Sequence, residues 1–145
     1  PVSFNPDNLK NKHRDEILIS LAGPFSNFLL AILFLIVARG LYFFPYFSGT
    51  EVGLAAINLL ILWSVINFGL FFFNLLPIPP LDGSHLYMTF LKDISPKLLR
   101  NVYMFGTYGL LLIILIQNST KVEILPLASL IKGATNLGIV LLQFR

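Results

Sequence analysis

The sequence predicts an all-α integral membrane protein with about three to four transmembrane helices and a proline-rich break before a Leu-Asp-Gly motif. Three observations predict it. Hydrophobic residues make up 56% of the 145 and charged residues 12%, with a mean hydropathy of +0.80, which is too apolar for a water-soluble domain. Between Glu51 and Lys92 the only Asp, Glu, Lys or Arg is Asp82, and a stretch of that kind belongs in lipid. Pro77, Pro79 and Pro80 remove three amide donors in four residues, so no regular helix continues through them.

The first apolar segment, residues 17–38, is long enough to cross about 30 Å of hydrocarbon at about 1.5 Å per residue. Gly23 and Pro24 fall near its start, where a missing amide proton costs least. The second, residues 52–76, carries Asn58, Ser64, Asn67 and Asn74 as polar points and ends at the prolines. Residues 102–116 form a third segment, short for a span unless extended at its interfaces. The fourth, residues 124–144, contains Pro126, Lys132, Gly133 and Asn136 and reads as a broken or interfacial helix. With no repeat or low-complexity linker, residues 1–145 read as a single membrane domain. The opening residues show neither an initiating Met nor a signal-peptide pattern, and the chain is expected to be entered partway along.

Composition also excludes. Without Cys there is no disulfide, Cys-ligated zinc or thiol nucleophile. The net charge of +3 sits in short clusters beside apolar stretches, unlike a basic nucleic-acid face. Basic residues favour cytoplasmic loops. Placing the N-terminal segment inside puts Lys10, Lys12, Arg14, Lys92, Lys97, Arg100 and Arg145 on that side, against Arg39 and Lys121 opposite, with Lys132 in the last segment. The expected localisation is the cell (plasma or inner) membrane, with the Leu-Asp-Gly end toward the cytoplasm.

The informative stretch is NLLPIPPLDGSH, Asn74 to His85. A carboxylate at membrane depth is costly and is by default a functional hypothesis that needs a partner. No basic residue near Asp82 in sequence offers one, whereas a divalent metal would. The prolines would hold the backbone before it extended, with carbonyls open to a strand-like ligand. An equally direct reading makes Asp82 the N-cap of a following helix, and the residues alone leave the two open. His85, three residues on, would share a helical face with Asp82 if a helix began there. It reads either as an interfacial residue or as a participant in metal or proton chemistry, and His13, in a charged polar loop, reads as a solvated interfacial residue.

NLLPIPPLDG resembles the second signature of the site-2 protease family of intramembrane zinc metalloproteases, in which an Asn is followed eight positions later by the Asp of Leu-Asp-Gly. LAGPFSN, Leu21 to Asn27, resembles the Ala-Gly-Pro segment of the family's preceding helix, and PVSFNP at the start resembles its connector. The resemblance implies that Asp82 ligates zinc and that Asn74 orients substrate or stabilises the oxyanion. Gly83 and the prolines shape the turn, and Gly23, Pro24 and Asn27 are structural, with Asn27 hydrogen-bonding across a helix interface. Separately, the extended backbone expected of Pro77, Ile78, Pro79 and Pro80 would let an unwound substrate pair with it by strand addition. It implies a zinc-dependent endopeptidase that cleaves transmembrane segments of membrane-anchored proteins in regulated intramembrane proteolysis. The family's His-Glu-x-x-His, which supplies two His ligands and the Glu base, has no match here. Those ligands are expected on an N-terminal part of the same protein, and the chain alone is expected to be inactive. The alternatives are a non-catalytic scaffold homologue, or a proton- or cation-handling membrane protein that uses Asp82.

Overall fold

A computed structural model describes residues 11–120 and 122–141; the PVSFNP connector, Lys10, Lys121 and Arg145 lie outside them. In order, the elements are α1 (Lys12–Tyr42), α2 (Pro45–Gly49), α3 (Glu51–Asn74), a 3-10 turn (Asp82–Ser84), α4 (His85–Ile94), α5 (Pro96–Thr120) and α6 (Leu127–Leu141). No strand occurs among the described residues. Three helices, α1, α3 and α5, are long and apolar enough to cross a membrane. The fourth segment forms only the 15 residues of α6, roughly 22 Å of helix and short of a full crossing.

Two boundaries differ from expectation, each for a local reason. α1 starts at Lys12 rather than near residue 17 because Asp15 ties off its first turn. The Asp15 carboxylate accepts the Asn11 amide at 3.1 Å, while the Asp15 amide donates to the Asn11 carbonyl at 2.9 Å, satisfying groups that a helix start would orphan. Pro24 therefore lies inside the helix, where it leaves the Ser20 carbonyl without its usual donor. α5 is likewise longer than residues 102–116. Pro96 opens it with a φ suited to a first helical position, and the Ser95 hydroxyl accepts the Leu98 amide at 3.3 Å.

The chain divides into two compact units, one comprising residues up to Gly23 with Asn74–Val122, the other Pro24–Phe73 with residues from Glu123 onward. The second unit is built on Ala31 and Leu35 of α1 and Phe68 of α3, with Phe28, Phe72 and Ile131 of α6 packed around them. Ala31, Leu35 and Ala38 recur at helical spacing and form one buried stripe. On α3 the usual pattern is inverted: Ser64 and Asn67 are buried, while Leu59, Leu62, Trp63, Ile66 and Leu70 are exposed. Lipid explains this, because tails solvate leucine as well as a protein interior does and leave the polar side chains to be enclosed. Asn67 donates to the Trp63 carbonyl at 2.8 Å and Thr135 to the Ile131 carbonyl at 2.8 Å.

Candidate functional site

The site lies in the first unit, where α3 ends at Asn74 and the chain turns into α4. Residues 77–80 do not form the extended ledge expected of them. The Leu81 amide donates to the Ile78 carbonyl at 3.0 Å and the Ser84 amide to the Leu81 carbonyl at 3.0 Å, with the Ser84 hydroxyl on the same Leu81 oxygen at 2.7 Å. Tyr87 reaches back to the Pro77 carbonyl at 3.4 Å. Proline removes donors but not acceptors, and the Pro77 and Ile78 carbonyls are taken up by Tyr87 and Leu81.

Two glycines permit the turn's tightness. A Cβ at buried Gly83 would lie 2.6 Å from the Leu75 carbonyl carbon and 2.7 Å from the Leu76 oxygen, so only glycine lets the chain after Asp82 pass the end of α3. A Cβ at Gly106 of α5 would lie 2.6 Å from Pro79 Cδ, and this notch receives the buried Pro79 ring.

Asp82 opens the 3-10 turn and is half-buried. It is not a cap. The residue before the turn is Leu81 and the one before α4 is Ser84, and neither helix start has a side-chain cap hydrogen bond. Among the described residues the Asp82 carboxylate has no hydrogen-bond or ion-pair partner. On α1 it faces Gly23, where a Cβ would stand 3.4 Å from Asp82 Oδ2, in ordinary contact. Asn74, half-buried at the end of α3, flanks the same turn, and its side chain is also unbonded among the described residues. His85 starts α4 and lines a pocket against α5 with Met88, Leu99 and Met104. No group of three or more His, Asp or Glu capable of holding a metal occurs among the described residues. The stretch from Asn74 to His85 thus presents a single carboxylate, that of Asp82.

Pro77, Ile78 and Pro79 line one side of a groove of about 630 Å³ whose other side includes Tyr87, Val102, Phe105 and Gly106; Pro80 is exposed and outside it. Burial pushes the Tyr87 phenol up from its ordinary value, so it stays protonated and remains a donor. Pro24 is fully buried in the second unit. Asn27 sits half-buried at the margin of the Pro24, Ala31 and Leu35 stripe and makes no hydrogen bond among the described residues. The cross-helix bond expected of it is therefore not formed, since the margin leaves its amide partly exposed.

The sequence reading missed a polar cluster that pins α1 to α4. Glu16, with a side chain only 11% exposed, accepts from Lys92 at 2.8 Å and from Thr89 at 2.8 Å. His13 is not a loop residue: its Nε2 lies 3.0 Å from Asp93, its Nδ1 3.2 Å from the Thr89 hydroxyl, and its ring stacks on Phe90 at 5.1 Å. The available signal was Thr89, Lys92 and Asp93 at i, i+3 and i+4, one face of a helix that needs a partner.

Comparison with known proteins identifies the family. The profile of peptidase family M50 matches residues 41–116, which includes Asn74, the prolines, Asp82 and the start of α5. The protein named "Putative zinc metalloprotease YwhC" of Bacillus subtilis (strain 168) is 35% identical over 98 residues, covering 66% of this chain and 42% of that protein, so the chain spans less than half the length of the curated relative it matches. No solved structure matches it significantly. Because the profile covers more than half of the chain and encloses the Asn74-to-Asp82 signature, the chain belongs to peptidase family M50, the site-2 protease family of zinc metalloproteases.

Proposed function

We propose that this chain is the Asp82-bearing portion of an intramembrane endopeptidase that cleaves transmembrane segments of membrane-anchored proteins. The observation that carries the reading is the Asp82 carboxylate: half-buried, uncapped, unpaired among the described residues, and held beside Gly23 by a turn that Gly83 and Pro79 make rigid. A stabilising role would give that carboxylate a donor, whereas a ligand role requires its oxygens free. The other ligands and the base come from a His-Glu-x-x-His helix on a segment preceding this chain in the same protein. Zinc, when bound, supplies Lewis acidity toward a scissile carbonyl and lowers the pKa of water.

Within this reading Asp82 fixes its share of the coordination geometry, and Gly23 leaves room for it on α1. Asn74, at the end of α3, donates its amide to the substrate carbonyl. The groove of Pro77, Ile78 and Pro79 receives the unwound substrate segment through apolar contact, its own carbonyls being partly taken. Arg14, Lys92, Lys97 and Arg100 face the cytoplasm, a common side supported by the Lys92–Glu16 bond, which brings the junction of α4 and α5 beside the start of α1. The membrane is the plasma or inner membrane, and the role is regulated intramembrane proteolysis.

The test is the zinc content of the full-length protein in detergent, wild type against Asp82→Ala. About one zinc per chain, lost or weakened on substitution, is expected for a ligand in a site of three protein ligands. A well-folded full-length protein without zinc would sink the protease reading and favour a scaffold. An Asp82-dependent ion flux would favour a proton or cation path.

A further inference from the structure

We propose that the pocket between α4 and α5 binds an anionic phospholipid of the surrounding bilayer. The inference is independent of the protease reading. The pocket has a volume of about 320 Å³, and its lining combines Met88, Leu99, Tyr103 and Met104 with two cations, Lys92 and Arg100. Of the acids nearby, Glu16 is paired with Lys92 itself at 2.8 Å and Asp93 with His13 at 3.0 Å, so neither is paired with Arg100. Arg100 has no carboxylate partner among the described residues, and Lys97 stands one turn before it on the same exposed face. Glu16 in turn holds the Lys92 ammonium in place, with two of its three donors unused. The residual charge at the mouth is therefore positive.

Free phosphate would leave the apolar lining unused, and a zwitterionic lipid would bring its own ammonium beside Arg100 along with its phosphate. A phospholipid with a net negative headgroup satisfies both. Arg100 and Met104 lie one turn apart, about 6 Å along the axis. On a membrane-spanning helix near its end, that step separates a headgroup phosphate from the first acyl carbons. Arg forks suit phosphate oxygens geometrically, and basic pockets beside transmembrane helices on the cytoplasmic side are suited to such headgroups.

The test reconstitutes the full-length protein in phosphatidylcholine nanodiscs doped with phosphatidylglycerol that carries a photoreactive diazirine on its acyl chain. Labelled peptides are mapped by mass spectrometry, and labelling of α3 serves as the internal reference. Expected is preferential labelling of the α4–α5 pocket, reduced about fivefold by Arg100→Gln, the equivalent of roughly 1 kcal/mol for one basic residue near an anionic surface. Met104→Trp, which fills the pocket without touching the charge, is expected to lower it as well. Excess inorganic phosphate is expected to leave the labelling intact. Equal labelling by a diazirine phosphatidylcholine, labelling unchanged in both variants, or loss of labelling to free phosphate would each overturn the proposal.

Discussion

Asp82 and Glu123 are both carboxylates that stand beside a proline break just before a helix, and the chain uses them in opposite ways. Glu123 lies before Pro126 and accepts the Ser129 amide at 3.2 Å and the Ser129 hydroxyl at 3.0 Å, doing for α6 what an acidic residue at a helix start ordinarily does. The Ser129 amide, and then its hydroxyl, hold the Glu123 carboxyl below its ordinary value. Asp82 follows Pro77, Pro79 and Pro80, precedes α4, and caps nothing. Local sequence is equally permissive of a cap at both. The difference teaches that the fold invests in Asp82 something other than helix stability: Gly83 and Gly106 are given over to positioning the turn, and its carboxylate is left open.

The sharpest way to break this comparison is to remove each carboxylate from the full-length protein. Asp82→Ala should reduce peptidase activity by on the order of 100-fold or more, since even residues that only orient metal ligands commonly cost 10–100-fold. Glu123→Ala should leave zinc content and activity near wild type; equal losses in a zinc and cleavage assay would dissolve the distinction. Next in size is Gly83→Ala. Its methyl group has no space against Leu75 and Leu76, and displacing the backbone should cost about 3 kcal/mol in unfolding free energy, read as a lower melting temperature in detergent with cleavage lost in parallel. A wild-type melting curve would mean the turn is less tightly closed than described.

Lys92→Met should come third. It leaves the enclosed Glu16 carboxylate with Thr89 as its remaining hydrogen-bond donor, and an under-satisfied group of that kind costs about 1–3 kcal/mol. Double substitution with Glu16→Gln should recover part of the loss, and strict additivity of the two would show they do not interact. The smallest effect is at Glu123. A carboxyl lowered in the folded state stabilises above its unfolded-state value, near the ordinary 4.5, and that contribution disappears as pH falls through the folded value. The protection factor of the Ser129 amide, with the intrinsic slowing of exchange in acid divided out, should therefore fall on acidification below that range, and Glu123→Gln should show the lower protection already at neutral pH. If the first turn of α4 responded equally to acid, Asp82 would be a cap after all.

Much of this was legible beforehand. The spans α1 and α3 follow from hydropathy over windows that any bilayer imposes, and the break after Asn74 follows from donors that proline lacks, whereas α5 shows in hydropathy only as a segment short for a span. The Asn74-to-Asp82 spacing also carried the family without coordinates. Boundaries were less legible: α1 begins earlier because Asp15 closes on Asn11, and α5 begins earlier because Ser95 and Pro96 suit a helix start. Those signals are polar, and an apolar-window reading passes over them.

The membrane class, the break after Asn74 and the residues worth suspecting are thus legible in the chain's own chemistry, because each follows from transfer free energies and backbone chemistry that act locally. Tertiary structure alone decided that residues 77–80 fold into a closed turn and that Asp82 sits uncapped beside Gly23. It also placed Pro79 in the notch at Gly106 and Glu16 and His13 on one face of α4. Apart from the turn, which closes through bonds within ten residues, these depend on contacts between segments tens of residues apart, which hydropathy and propensity do not encode.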